Sequence, residues 1–194
     1  MKAAVVLQQQ RRSTTPAASE QIWDRVLLAK AGFSTDAEWL SEFGVRRDYR
    51  AIVWHDMEGF LPGAIAEWNK GKAGAHLAVL QNGEVVLTCP LEYVAWHAGT
   101  DNTPGSGKYG RTPFWRSHNV NPHSIGVEIE GFVTQPYTQA QAAAVRKIAL
   151  WAKVKLSIVR VHTMDQIDGH HAHSEISSSR SDPGPNFDWT WVTG

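Results

Sequence analysis

The chain has 194 residues, 42% hydrophobic and 20% charged, a length and balance suited to one soluble domain with a sizeable core. Lys+Arg and Asp+Glu both total 19, which leaves no electrostatic footprint for nucleic acid and no polybasic membrane anchor. A single cysteine, Cys89, excludes an internal disulfide framework and any cysteine-rich zinc or iron–sulfur site. The 9 histidines suggest metal or acid–base chemistry, and the 9 tryptophans suggest aromatic surfaces for a bulky ligand such as a sugar.

At the start of the chain, Ala3–Leu7 is the only apolar run before Gln8. It is shorter than the ~7–15 residues of a secretory core, so the expected location is the cytoplasm in which the chain is made. No run approaches the ~18 apolar residues of a membrane span. Residues 1–18 read as a polar arm. Ser19 to Gly32 reads as a helix with Ile22, Trp23, Val26 and Leu27 on one face, and Thr35 to Phe43 as a second short helix. Residues 1–50 are thus expected to be an arm with a helical extension, and residues 51–194 the main domain.

From Ala51 the pattern changes. Ala51–Trp54 is a compact apolar run read as a buried strand that ends on His55-Asp56. Pro62 to Lys70 reads as a helix. Two further runs, Leu77–Leu80 and Glu84–Thr88, flank Asn82-Gly83, a strong hairpin signal because both residues tolerate positive φ. Asp101 to Asn121 is rich in Gly, Pro, Ser and Asn, and reads as a long functional loop. Ser124–Ile129 is another strand. Thr138 with Gln141 has capping-box spacing, and the helix that follows carries Val145, Ile148, Leu150 and Trp151. Ser157–Val161 reads as the last strand, with loops from Asp165 onward. Strands alternating with helices predict an α/β fold, a single mixed central sheet flanked by helices.

Three segments offer candidate metal ligands at the ends of these elements: His55, the stretch His170-His171-Ala172-His173, and Asp182. Two imidazoles and one carboxylate leave a fourth zinc position open, as in a catalytic site. Glu130 and Glu175 read as a solvated or groove-rim carboxylate and a supporting group. Trp23, Trp39 and Trp68 read as core residues, and Trp96 and Trp115 either as platforms that stack on sugar or as core residues.

Five strings occur in a set order: Val53-Trp54-His55, Gly74-Ala75-His76, Trp96-His97-Ala98-Gly99, Ile125-Gly126-Val127-Glu128, and Asp182-Pro183-Gly184-Pro185-Asn186-Phe187-Asp188-Trp189. Together they resemble the zinc-dependent type 2 N-acetylmuramoyl-L-alanine amidases. That family includes phage endolysins, muropeptide-recycling amidases and peptidoglycan recognition proteins. The resemblance covers roughly residues 50–190.

Carried onto this chain, it implies one zinc ion held by His55, His173 and Asp182, with His171 as the alternative second ligand. Glu128 matches the family's acid/base, which takes a proton from water and passes it to the leaving amine. Arg180 stands where many relatives carry lysine and is placed to stabilise the oxyanion. His76, Trp96 and His97 are implied to line the substrate groove. Asp56-Met57-Glu58 departs from the family's usual residues after the first ligand. The implied reaction is hydrolysis of the amide between N-acetylmuramic acid and L-alanine. The expected role is lytic, of the phage-endolysin type. The alternatives are a cytosolic muropeptide-recycling amidase and a non-catalytic peptidoglycan-binding module. A peptidoglycan or muropeptide substrate is the expected partner, with no nucleic acid or membrane, and the expected state is a monomer.

Overall fold

The computed structural model describes residues 21–27, 48–70, 73–98, 119–164 and 166–194. Among these, the strands are β1 (Arg25–Val26), β2 (Ala51–Asp56), β3 (Leu77–Val79), β4 (Val85–Leu87), β5 (Ser124–Ile129) and β6 (Gly169–Ala172). The helices are α1 (Leu61–Trp68), α2 (Gln139–Leu156), α3 (His173–Ile176) and α4 (Thr190–Thr193). The strands form one mixed sheet in the order β1-β4-β3-β5-β2-β6. β3 and β4 pair antiparallel through the expected hairpin, and the other neighbours are parallel.

The period of two along each strand assigns the faces. Ile52, Trp54, Leu77, Val79, Ile125, Val127 and Ile129 point to one side, where α2 covers them with Ala144, Val145, Ile148, Ala149 and Ala152. That spacing is the apolar stripe of an amphipathic helix. The helix starts at the expected capping box, with Thr138 accepting from the Gln141 N–H and the Gln141 side chain accepting from the Thr138 N–H. On the opposite side, Leu61 and Trp68 of α1 pack on Ala78 and Val86. Residues of odd number in β2 and of even number in β3 and β5 belong to this second side. His55 and Glu128 are therefore both on the α1 side.

Two expected elements differ. Residues 21–27 are extended instead of helical, and Arg25–Val26 pairs with β4. Asp24 donates its N–H to Val85 O and accepts the Val85 N–H on its carboxylate, while Ile22 and Trp23 bury in the core. Pairing with the sheet edge thus overrides the helical spacing of the apolar residues. The second expected helix, Thr35 to Phe43, and the loop Asp101 to Asn121 up to residue 118 lie outside the described residues, as do Trp39 and Trp115.

The segment Ser157–Val161 is not a strand. Ser157 takes a left-handed conformation that ends α2, and Val159 and Val161 are exposed. The sheet position beside β2 belongs to Gly169–Ala172, whose Gly-His-His-Ala composition carries no apolar alternation to mark it.

Candidate active site

The parallel register places the chemistry. His55 lies opposite Glu128 on β5, and Trp54 lies opposite Ala172 on β6, so His173 follows beside His55. The carboxyl ends of three neighbouring strands thus converge, the usual place for a ligand site in an open α/β sheet. The register also separates the three competing histidines. His170 is on the α2 side, stacked on Trp54 and accepting the Trp54 Nε1–H at 3.1 Å. His171 shares the α1 side but sits deeper, its nitrogens against Thr163 O and Ile167 O. Only His173 of the three reaches the end of the strand next to His55.

His55 Nδ1 and His173 Nδ1 are 3.0 Å apart, and Asp182 Oδ2 is 3.1 Å from His173 Nδ1 and 3.2 Å from His55 Nδ1. The three residues are 1%, 5% and 9% exposed. Ligands tetrahedral about zinc at bonds of ~2.0–2.1 Å stand about 3.3 Å apart, so this near-equilateral triangle has the required size. Two imidazole nitrogens and one carboxylate oxygen are donors that zinc accepts. Burial, reinforced by the neighbouring His173, lowers His55 to about 4, which leaves a neutral ring with a lone pair at pH 7. Burial alone would raise the Asp182 carboxyl, but its contacts with His173 and then His55 outweigh it and hold it well below the usual range. The residues present therefore fit a zinc ion, and among the described residues no other cluster offers such a donor set.

The triangle opens into a cavity of about 480 Å³, whose lining includes Glu128, Arg180, Trp96, His97, Phe60 and Trp68. Glu128 is raised well above the carboxylate range by burial and then by the charges of Asp182 and Asp56, with Arg180 acting against them. Its Oε2 is buried and has no hydrogen-bond partner among the described residues. Arg180 is exposed at the rim. Trp96 and His97, the expected groove residues, are among the residues that line this cavity. His76 does not. It is fully buried, accepts the Gly126 N–H on Nδ1 and donates Nε2–H to Tyr93 O, so it joins β3 to β5 and to the segment before Trp96.

Several supporting residues were not singled out for a role in the sequence. Asp56, buried beside His55, accepts the Glu58 N–H on Oδ1 and faces the Tyr137 hydroxyl at 3.1 Å through Oδ2. That hydroxyl is 2.7 Å from Pro183 O, next to Asp182. Tyr137 thus connects the end of β2 to the loop that carries a candidate ligand. Gly184 has φ +83°, and a Cβ there would stand 2.2 Å from Val133 Cγ2, so the turn after Asp182 requires glycine. Ser174 N–H donates to Asp182 O at 2.9 Å, fastening the same loop to α3. Glu175 accepts the Ala172 N–H and pairs with His162, the supporting part expected of it. Glu130 is a structural carboxylate that accepts the Leu61 N–H at the start of α1 and the Gln81 N–H beside the hairpin.

Fold and site together define a class of protein: a mixed α/β sheet carrying a candidate two-histidine, one-aspartate centre with a half-buried glutamate beside it. Residues 45–185 match the N-acetylmuramoyl-L-alanine amidase family, and the chain belongs to it. It is 37% identical over 124 residues to the 1,6-anhydro-N-acetylmuramyl-L-alanine amidase AmpD of Enterobacter cloacae, covering 60% of this chain and 56% of that protein. The chain thus spans little more than half the length of that curated relative. The fold is similar to a crystal structure of AmpD, with a TM-score of 0.60, 19% identity, and coverage of 87% of this chain and 91% of that one. It is also similar to the endolysin amidase LysCS of Clostridium intestinale, with a TM-score of 0.56, 18% identity, and coverage of 88% and 93%.

Proposed function

We propose that this chain is a zinc amidase that hydrolyses the bond between N-acetylmuramic acid and the L-alanine of a stem peptide, and that its substrate is a soluble 1,6-anhydro-muropeptide. The observation that carries the reaction is the buried triangle of His55, His173 and Asp182 with Glu128 beside it on the next strand. The observation that favours the soluble substrate is the 37% identity to an AmpD whose name specifies the anhydro-muramyl amide. Recycling thereby replaces the lytic role expected from the sequence. The fold does not separate the two roles, since it is similar to AmpD and to an endolysin amidase alike.

An amide is a poor electrophile, and a zinc ion bound by these residues supplies a Lewis acid for its carbonyl and lowers the pKa of water from 15.7 towards ~7. Glu128 acts as the base that takes the proton from the attacking water and then delivers it to the departing alanine amine. Burial and the neighbouring acidic charges raise its carboxyl above the ordinary range, which makes it a stronger base. Arg180, at the rim, places a fixed positive charge beside the carbonyl oxygen as it becomes an oxyanion. Trp96 offers an aromatic wall for the sugar.

The test is mass spectrometry of a soluble anhydro-muropeptide and of purified sacculi, each incubated with zinc-loaded protein. Free peptide beginning at L-alanine from the soluble substrate, with sacculi left intact, is the expected result. Peptide release from sacculi restores the lytic role. Retention of the protein on sacculi with no product from either substrate makes it a binding module.

A further inference from the structure

Four hydrogen-bonding groups run in a line away from the candidate metal position. His55 Nε2 is 3.1 Å from His97 Nδ1, His97 Nε2 is 2.9 Å from Ser124 Oγ, and Ser124 Oγ is 2.8 Å from Val120 O. The last group sets the direction of all the others. A backbone carbonyl only accepts, so the single Ser124 hydroxyl proton goes to Val120 O. Ser124 Oγ is then the acceptor toward His97, and His97 carries its proton on Nε2. In a neutral imidazole the other nitrogen is an acceptor, so His97 Nδ1 receives the Nε2–H of His55. The proton of His55 is thereby placed on Nε2, and Nδ1 is left with its lone pair directed at His173 and Asp182.

The fold is shaped to hold this line. Ser124 is the first residue of β5 and is fully buried. Two residues on, Gly126 lies against the His97 ring, and a Cβ there would stand 2.3 Å from His97 Cγ. Any side chain at 126 displaces the ring, so the missing Cβ is the space in which His97 fits. His55 and His97 meet edge to face, with ring centroids 5.2 Å apart, and His97 is 7% exposed.

We infer that His97 and Ser124 are positioning residues for the metal centre, which hold His55 in the tautomer that presents Nδ1 as a ligand. The inference rests on the reading of His55 as a zinc ligand, but the tautomer itself is a property of the metal-free protein. A relay of this kind orients the ligand ring and raises its basicity, and loss of such a partner typically weakens metal binding about 10–100-fold.

Two readouts test it. Long-range ¹⁵N–¹H NMR of the metal-free protein identifies which imidazole nitrogens carry protons. Protonated Nε2 on both His55 and His97 is the expected pattern, and a proton on His55 Nδ1 overturns the inference with or without zinc binding. Zinc affinity is then measured by competition with a chromophoric chelator. His97→Leu keeps bulk but offers no partner, and is expected to weaken zinc about 10–100-fold, with Ser124→Ala losing about 10-fold. His97→Gln offers an amide oxygen to His55 and an N–H to Ser124, and is expected to stay within about threefold of the wild type. Wild-type affinity in His97→Leu contradicts the relay, as does a His97→Gln variant as weak as His97→Leu. Should His97→Leu fail to fold, Ser124→Ala against His97→Gln decides the same question. A wild-type protein that binds no zinc refutes the ligand assignment, and the NMR pattern still decides the tautomer.

Discussion

At the residue scale, two side chains divide the work of the proposed reaction and are separable by experiment. Glu128→Gln removes the proton acceptor while keeping the shape, so turnover is expected to fall about 100- to 10,000-fold with zinc affinity nearly unchanged. Burial and the charges of Asp182 and Asp56 raise the Glu128 carboxyl, and its protonated form cannot take a proton from water. Activity is therefore expected to fall as pH drops through that raised value, above the ordinary carboxylate range. A profile of kcat/KM against pH checks this, and an acid limb at an unshifted carboxylate value contradicts it. Arg180→Ala is expected to reduce kcat about 100–1000-fold, with Arg180→Lys recovering part of the loss because it keeps the charge without the planar fork. The candidate ligand set was legible in the sequence because strand ends and the ordered strings marked it. The supporting residues were not. Asp56, Tyr137 and Ser124 act through hydrogen bonds that join distant segments, and no spacing in one dimension encodes such a bond.

At the element scale, the legible parts are those whose local signals agree with their tertiary use. The Thr138–Gln141 capping box, the Asn82-Gly83 hairpin and the apolar strand Ser124–Ile129 all stand where the pattern places them. The misread parts are those where tertiary pairing wins. β1 lies at the edge of the sheet although its apolar residues have helical spacing, and β6 is a strand made largely of glycine and histidine. The second error matters for function, because strand alternation in β6 is what separates His173 from His170. The loop after Asp182 shows how elements hold the centre together. Tyr137→Phe removes the hydroxyl between Asp56 and Pro183, and is expected to lower stability by about 1–3 kcal/mol through the polar groups it leaves unsatisfied. Urea unfolding measures the loss, and a variant as stable as the wild type removes Tyr137 from the account.

At the scale of the whole molecule, the buried histidines make the metal-free protein sensitive to acid. Burial lowers His55 to about 4 and His170 to about 3, against 6.5 for an exposed ring. Between those values the unfolded chain binds protons that the folded chain does not, so their stabilising contribution is full above pH 6.5 and is lost as pH falls towards 3–4. The two rings are expected to weaken the fold over that window, offset by Glu128, whose raised carboxyl takes its proton first in the folded state. Thermal unfolding of chelator-treated Glu128→Gln protein at pH 7 and pH 4 removes that offset and checks the sign, and a Tm that does not fall at pH 4 contradicts it. A zinc ion held at the proposed site would stabilise the folded state and raise Tm with the logarithm of its concentration over Kd.

The proposed hydrolysis cleaves one amide bond by adding water to its carbonyl. The direct measurement is to run the reaction on a soluble anhydro-muropeptide in ¹⁸O-labelled water and weigh both products. One labelled oxygen in the carboxylate of the muramic acid fragment, with an unlabelled peptide ending in a free alanine amine, is the predicted result. Label in the peptide fragment, or no product from zinc-loaded protein, would contradict it.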